Sequence, residues 1–449
     1  MIEYRNLRIA VLGGGTVGAN VVDLLLRHRE ELEARVGAGL EVIGVAVRDP
    51  GATRTPAIPA ELLTTDAASL VTAADIVVEL IGGIEPARTL VLEALGSGAD
   101  VITANKALLA THGTELFEEA AQVGAQLYYE AAVAAAIPII RPLRESLAGD
   151  RIERILGIVN GSTNFILDKM DTEGWSAEEA MRVARELGYL EADPTLDVEG
   201  YDAAQKAAIL ASLAFHTRVP LEAVHREGIA GITAADVAEA RAAGYVIKLL
   251  AIAERTSIPD PSVRERGEAE SKGSEGVVAR VHPALVPRTH PLAAVHAGNN
   301  AVFVEAEFAG PLMFYGAGAG GLQTASAVLG DIVSAARRHL AGGPGVAEST
   351  SADVALLPFD AVTTRYQIVL EVADMPGVLA EIAGVIADHG VSIETASQSS
   401  APGEGGEPTA TLVVVTHRAR EAALAATVEA LGASRAVRRV ASVIRVEGL

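Results

Sequence analysis

The sequence predicts an α/β protein in three parts: an N-terminal nucleotide-binding domain, a central α+β domain built on a mixed sheet, and a small α/β tail. Three observations predict it. A short apolar run, Leu7–Leu12, stops at a glycine turn spaced G-x-G-x-x-G and passes into an amphipathic stretch. Apolar strand-length runs then alternate with helical stretches to about residue 133, the pattern of a parallel sheet. Residues 361–449 alternate as β-α-β-β-α-β, the ferredoxin-like order.

The totals set the limits. The chain has 449 residues, half of them hydrophobic, and only 4% aromatic, so Ala, Val and Leu must build the core. A formal charge of −22 with no basic patch argues against nucleic acid or a membrane surface as partner. There is no cysteine, which excludes disulfides, thiolate metal sites and a cysteine nucleophile. The opening MIEYRNLRIAVLGGG lacks a long apolar run and a cleavage pattern, and no apolar stretch is long enough to span a bilayer. A soluble cytoplasmic protein is expected.

In order along the chain, LRIAVL reads as the first strand and Val17 to about Arg35 as the first helix. Between them Gly13, Gly15 and Gly18 let the backbone approach a pyrophosphate, while the helix start at Thr16 and Val17 offers free N–H groups. This is the Rossmann-type fingerprint. Glu41–Val47 is the second strand and ends at Arg48-Asp49. An arginine there favours NADP by pairing with the 2′-phosphate; the adjacent Asp49 leaves NAD open. Ala74–Ile81 is a third strand, closed by Gly82-Gly83, and a helix over about Glu85–Leu95 leads to a strand at Ala99–Ala104. Lys106 follows at that strand's carboxyl end, where doubly wound sheets bind ligands. A helix over about Gly113–Gly124 and the run Gln126–Val133 complete the first domain.

Beyond it the pattern changes. Pro138–Leu147 reads as helix and Arg151–Val159 as strand, followed by the turn-rich Asn160–Asn164. Helices are expected at about Ser162–Lys169 and Ala177–Leu187, and strands at Tyr245–Ala253, Gly276–Val281 and Ala301–Phe308, with a polar loop over Pro259–Gly276. Phe314–Gly321 reads as a second glycine-rich turn that opens a long helix from about Thr324 to Leu340. The domains are therefore set at 1–133, completed by a returning helix at about 318–341, then 134–340, a linker at 341–360, and 361–449. In the tail, Asp374–Leu379 (DMPGVL) is a strand-to-helix turn. His282, His290 and His296 fit no helix face and no zinc spacing.

The run LEADPTLDVEGYDAAQK at 190–206 gathers Glu191, Asp193, Asp197, Glu199 and Asp202 ahead of Lys206. A solvated acidic loop would look the same. With a helix from Tyr201 to Phe215, Asp202 and Lys206 stand at i and i+4 on one face. Such carboxylates can grip a substrate ammonium and hold the lysine charged, although a plain i,i+4 ion pair would give the same spacing. The nucleotide fold upstream tips the reading toward a reaction centre.

Six blocks carry a more specific resemblance: LGGGTVG at 12–18, ELIGGIEPA at 79–87, TANKALLA at 103–110, YEAAV at 129–133, GYLEADPTLDVEGYDAAQKAAILA at 188–211 and FYGAGAGGLQTASAVLGD at 314–331. End to end, the chain resembles homoserine dehydrogenase in its monofunctional form with a C-terminal ACT domain. The resemblance implies NAD(P)-dependent interconversion of L-aspartate 4-semialdehyde and L-homoserine, in threonine, methionine and isoleucine synthesis. It implies that Lys206 is the acid/base at the substrate oxygen, that Lys106 is the second ammonium, and that Asp202 positions the lysine. Glu191, Asp197 and Asp202 would hold the amino acid, with Ser162 and Thr163 at the substrate site. Cofactor contacts are expected at Gly13, Gly15, Thr16, Val17, Gly18, Arg48, Gly82, Lys106, Gly188 and Gly318. A sodium or potassium ion would rest on Glu130 and on main-chain oxygens of Val133, Ala135 and Ile137. The ACT turn, with Asp374, Met375, Gly377, Val378 and Leu379, would take L-threonine as a feedback inhibitor. The family implies a homodimer or homotetramer.

Three positions depart from the family pattern. Ala135-Ala136 stand where the family has glycine, so a left-handed backbone at either would be strained. Gln323 replaces a proline, and Gly14 replaces an apolar residue. Two alternatives remain at this point: another ACT-bearing dehydrogenase, and a non-catalytic amino-acid sensor on the same fold. The first ordinarily relies on a histidine–carboxylate pair, and 190–206 contains no histidine.

Overall fold

A computed structural model describes residues 5–191, 193–258, 274–342, 352, 354–401 and 409–448. The chain forms two compact units. One comprises Met1–Gly161, Asp202–Val224 and Gly298–Asp353; the other comprises Ser162–Tyr201, His225–Ala297 and Val354–Leu449. Most of the expected loop at 259–276 and much of the linker at 341–360 lie outside the described residues. Among the described residues no helix is long and apolar enough to cross a membrane.

The first unit opens with β1 (Leu7–Leu12), α1 (Thr16–Arg27), α2 (Arg29–Val36), β2 (Leu40–Ala46) and β3 (Leu63–Thr64). It continues through α3 (Ala67–Ala73), β4 (Ile76–Glu79), α4 (Ala87–Gly96), β5 (Asp100–Thr103), α5 (Lys106–Val123) and β6 (Leu127–Tyr128). The six strands form one parallel sheet in the order β3-β2-β1-β4-β5-β6, the doubly wound order whose reversal lies at β1 and β4. The helix Gly321–Ala341 returns to this part: Ala325, Val328, Ile332, Ala335 and Ala336 are fully buried in one cluster with Ile9, Val11, Val21 and Ile76. Small alanines on that face let a helix lie close to the sheet. A second sheet in the same unit pairs Ile152–Ile158, Asn299–Ala306 and Gly310–Ala317 antiparallel.

Four local readings are corrected. The first helix is interrupted at His28, which closes α1 and starts α2. α5 begins at Lys106, seven residues earlier than expected, because the Asn105 side chain accepts from Leu108 N and caps it; Gly113 lies inside the helix without ending it. The helix expected over Pro138–Leu147 is shorter, Ile140-Arg141 leading into the π-helical turn Pro142–Ser146. The glycine-rich 314–317 is strand, not turn, since Gly310–Ala317 pairs along its whole length with Asn299–Ala306.

In the second unit, Tyr245–Ile258 and Ser274–Pro287 make a long antiparallel pair. The tail forms a sheet in the order Val437–Val446, Thr363–Ala373, Thr409–Thr416, Ile393–Ala401, all antiparallel. Helices Val378–Asp388 and Glu421–Ala433 cover it, burying Ile382, Ile386, Leu424 and Leu431 against Ile368, Leu370 and Leu412. Its last strand also runs parallel to Ser274–Pro287, with Ala284 opposite Arg445. Part of the expected linker, Ala355–Leu356, pairs with Gly276-Val277 as a short strand.

Candidate active site

The glycine turn after β1 shows why each glycine is needed. Gly13 has φ +105, and a Cβ there would stand 2.6 Å from Leu80 O, so the turn closes against β4. A Cβ on Gly18 would fall 1.9 Å from Gly13 O; its absence lets α1 sit down on the turn. Gly15 has nothing within 4 Å of its Cβ position, which leaves the start of α1 open to a ligand. This is the division of labour a pyrophosphate site requires. Gly14 has a packing reason of its own: a Cβ would meet Val47, Ile58 and the Arg54 guanidinium, which donates to the Asp49 and Ala52 carbonyls. Arg54 went unnoticed in the sequence.

At the end of β2, Arg48 is exposed and has no ion-pair partner among the described residues. The Asp49 carboxylate is engaged locally, accepting from Gly51 N at 2.8 Å. Gly82 and Gly83 are both left-handed, at φ +77 and +75, and buried Glu79 accepts from the N–H groups of Ile81 and Gly82. Asn105 donates to Gly83 O at 2.6 Å while capping α5, so one side chain links the glycine pair to the helix that begins with Lys106.

Lys106 meets the acidic run at Asp202. Its Nζ stands 2.6 Å from Asp202 Oδ1, and Lys206 Nζ stands 2.7 Å from Asp202 Oδ2. Lys206 also donates to Val159 O at 2.5 Å, and Asn160 Nδ2 donates to Asp202 Oδ2 at 2.9 Å. Asp202 is buried, which alone would raise its pKa; Lys206 and Lys106 outweigh that and hold the carboxyl well below the usual range. It is therefore a fixed anion between two ammonium groups. Asn160, in the turn-rich stretch just before the helix Gly161–Thr172, thus binds the carboxylate through its amide.

Both lysines line a cleft of about 340 Å³ together with Thr16, Val17, Gly318 and Thr324. Five of the residues expected at the cofactor or reaction centre thus share one cavity. Ala134 and Ala135 lie on the same wall, at φ +58 and +48. The left-handed backbone foreseen for the alanine pair is real at Ala135; its partner is Ala134, not Ala136. Beside it Glu130 accepts from the N–H groups of Ile139, Ile140 and Arg141, and Arg141 Nε lies 3.4 Å away. The Glu130 carboxylate is thus largely committed to the chain itself.

The second unit holds the remaining residues. Ser162 donates to Tyr189 O at 2.5 Å, tying the helix Gly161–Thr172 to the stretch that carries Gly188 and Glu191. Gly188 is left-handed and ends the helix Ala177–Glu186; Glu191 is exposed, Thr163 buried, and Asp197 sits half-buried in the single turn Thr195–Val198. Lys248, another residue the sequence reading passed over, is buried and donates to Asn164 Oδ1 and Val295 O; burial pushes its pKa down to about 8. A lone lysine inside the apolar VIKLLAIA was the available signal. Of the three histidines, His282 is buried beside Arg280, and His296 pairs with Asp168. In the tail, Gly377 is left-handed at φ +95 and opens the helix Val378–Asp388, with Met375 and Leu379 exposed beside it and Asp374 accepting from Gln398.

A doubly wound sheet with a pyrophosphate-ready turn, leading to a cleft whose charged groups are a lysine pair, defines an NAD(P)-dependent oxidoreductase. Comparison with known proteins narrows this. Family models described as homoserine dehydrogenase, homoserine dehydrogenase NAD binding domain, and ACT domain match residues 138–333, 13–130 and 366–435. The homoserine dehydrogenase of Corynebacterium glutamicum is 51% identical over 441 residues, covering 98% of this chain and 95% of the relative. The crystal structure of one from Thiobacillus denitrificans superposes with a TM-score of 0.86 at 38% identity, covering 99% of each chain. A hyperthermophilic archaeal homoserine dehydrogenase mutant in complex with NADPH gives a TM-score of 0.60 at 29% identity, over 76% of this chain and 99% of that one. The chain belongs to the homoserine dehydrogenase family, oxidoreductases that act on a CH–OH group with NAD(P), and it carries an ACT domain.

Proposed function

We propose that Lys206 and Lys106, joined through Asp202, form the reaction centre for the reversible reduction of L-aspartate 4-semialdehyde to L-homoserine. The observation that carries this is the Asp202 carboxylate shared between the two ammonium groups at 2.6 and 2.7 Å. Bound NADPH supplies hydride to the aldehyde carbon, and negative charge then grows on the oxygen. Lys206 gives that oxygen its proton, or takes it back in the reverse direction, while Lys106 adds a second positive charge nearby. Asp202 holds both ammonium groups in place. Glu191, Asp197 and Asp202 hold the substrate ammonium, with Ser162 and Thr163 beside them.

NADP is favoured over NAD because Arg48 is exposed and unpaired while Asp49 is bound into its own turn. The NADPH bound by the archaeal relative points the same way. The cofactor rests on Gly13, Gly15, Thr16, Val17, Gly18, Gly82, Lys106, Gly188 and Gly318. A sodium or potassium ion on the carbonyls of Val133, Ala135 and Ile137, near Glu130, would account for a turn that keeps two left-handed alanines. L-Threonine binds the ACT turn through the N–H groups around Gly377, beside Asp374, Met375, Val378 and Leu379. The working division of the chain is 1–133, 134–340 and 361–449, in a cytoplasmic homodimer or homotetramer.

The test is NADPH oxidation with aspartate semialdehyde, comparing wild type with Lys206→Ala and Lys206→Arg. Turnover falls by several orders of magnitude in the alanine variant and recovers in part with arginine. Unchanged turnover in Lys206→Ala removes the role given to that residue.

A further inference from the structure

Among the charged groups outside the reaction centre, one part-buried network joins the ACT tail to the acidic run. Arg445, on the last strand, donates to Glu421 Oε1 at 2.6 Å, which caps no helix but anchors the second ACT helix, and its other arm donates to Glu227 Oε2 at 2.8 Å. Tyr366 OH also donates to Glu421, and Phe359 stacks on His225 with ring centroids 3.8 Å apart. Glu227 is therefore held by an ACT arginine on one side and by His225 Nε2, at 2.8 Å, on the other.

The strap bearing Glu227 is bonded directly to the turn bearing Asp197. Ile229 N donates to Val198 O at 2.8 Å, and the Arg226 guanidinium donates to Glu199 O and lies 3.5 Å over the Tyr201 ring. Gly228 is packed so tightly that a Cβ would stand 2.3 Å from Val198 O. The strap thus fixes every residue of Val198–Tyr201 but Gly200 by a named contact, and a Cβ on Gly200 would itself touch Glu227 O at 3.4 Å. Asp197 immediately precedes this segment and Asp202 immediately follows it.

We infer that Glu227 is a positioning residue for substrate binding: through the 225–229 strap, Arg445 of the ACT tail sets the placement of Asp197. This rests on the reading of Asp197 as part of the ammonium grip. It gives the tail a mechanical connection to the substrate side, through a side-chain pair that touches neither substrate nor cofactor.

The experiment compares Glu227→Gln, Arg445→Met, their double variant, Arg226→Met and Asp197→Asn with the wild-type full chain, by steady-state kinetics and near-UV circular dichroism. Glu227→Gln keeps the shape and removes the charge. It raises the KM for aspartate semialdehyde roughly fivefold or more, with the KM for NADPH unmoved. Arg445→Met does the same, and the double variant is no worse than either single, because both break one link. Arg226→Met supplies the same readout should the buried variants fail to fold. A native KM in every folded strap variant, beside a raised one in Asp197→Asn, overturns the relay alone. A native KM in Asp197→Asn overturns the ammonium grip and the relay with it.

Discussion

Asp202 turns a different oxygen to each of two lysines, Oδ1 to Lys106 at 2.6 Å and Oδ2 to Lys206 at 2.7 Å. Lys106 begins α5, and Lys206 lies one turn along the helix Tyr201–Phe215, so one carboxylate fastens two helices that are about a hundred residues apart in the chain. Replacing it with Asn160's chemistry, as Asp202→Asn, keeps the shape and deletes the charge. Two neighbouring ammonium groups then repel without a counter-ion. kcat/KM falls by roughly a hundredfold or more. A wild-type kcat/KM in steady-state kinetics contradicts the charge-holding role.

The role proposed for Arg48 in coenzyme choice has its own test. Removing its guanidinium as Arg48→Ala takes away a charge-assisted contact to the 2′-phosphate, of about 1.5–3 kcal/mol. The KM for NADPH rises by roughly tenfold or more at that magnitude, whereas the KM for NADH stays put. Parallel titrations with the two coenzymes check this; equal effects on both remove Arg48 from the phosphate site.

Gly15 and Gly18 separate binding from folding. Gly15→Ala places a methyl into open space, so the melting temperature holds while NADPH affinity drops. Gly18→Ala drives a methyl onto Gly13 O, so stability and affinity fall together. Thermal melts beside coenzyme fluorescence titrations distinguish the two variants.

Asp331 supplies a pH signature of stability. Burial pushes its carboxyl up to about 6, even though Arg141 pairs with it and pulls in the other direction. The folded state therefore binds more protons than the unfolded one between the ordinary carboxyl value of 3.8 and about 6. The contribution of this group is fully present below that window and is lost as pH rises through it. Melting temperatures of wild type and Asp331→Asn, followed from pH 4 to 7, converge or cross in that direction; a wild-type advantage that grows with pH contradicts it.

What the sequence made legible was local. The glycine fingerprint, Lys106 at a strand end and the i,i+4 pair of Asp202 and Lys206 all depend on spacing within a few residues, and each is found where spacing places it. The tail's strands and helices were legible for the same reason, because alternation and periodicity are local too. The bond from Lys106 to Asp202 was not legible, since it joins distant segments and no periodicity encodes it. The bond from Asn160 to Asp202 was equally hidden, because a turn-rich stretch does not encode a partner 42 residues away. Phe314–Ala317 was misread as turn because glycine density signals a turn when the partner strand is out of view. Lys248 was overlooked for a related reason: inside an apolar strand, one charge is easily taken as an edge residue, and only the tertiary fold supplies its two acceptors.

The bond from Asn105 to Gly83 O has a mechanical meaning. Gly82 and Gly83 stand where the chain leaves β4, and the same amide that reaches back to them also seats the first turn of α5. Whatever presses on the glycine pair is passed to the root of the Lys106 side chain, like a hand on the short arm of a lever. The root of that lysine is therefore tied to the loop after β4, and a bulkier residue at position 83, held at φ +75, would strain the bond that seats α5.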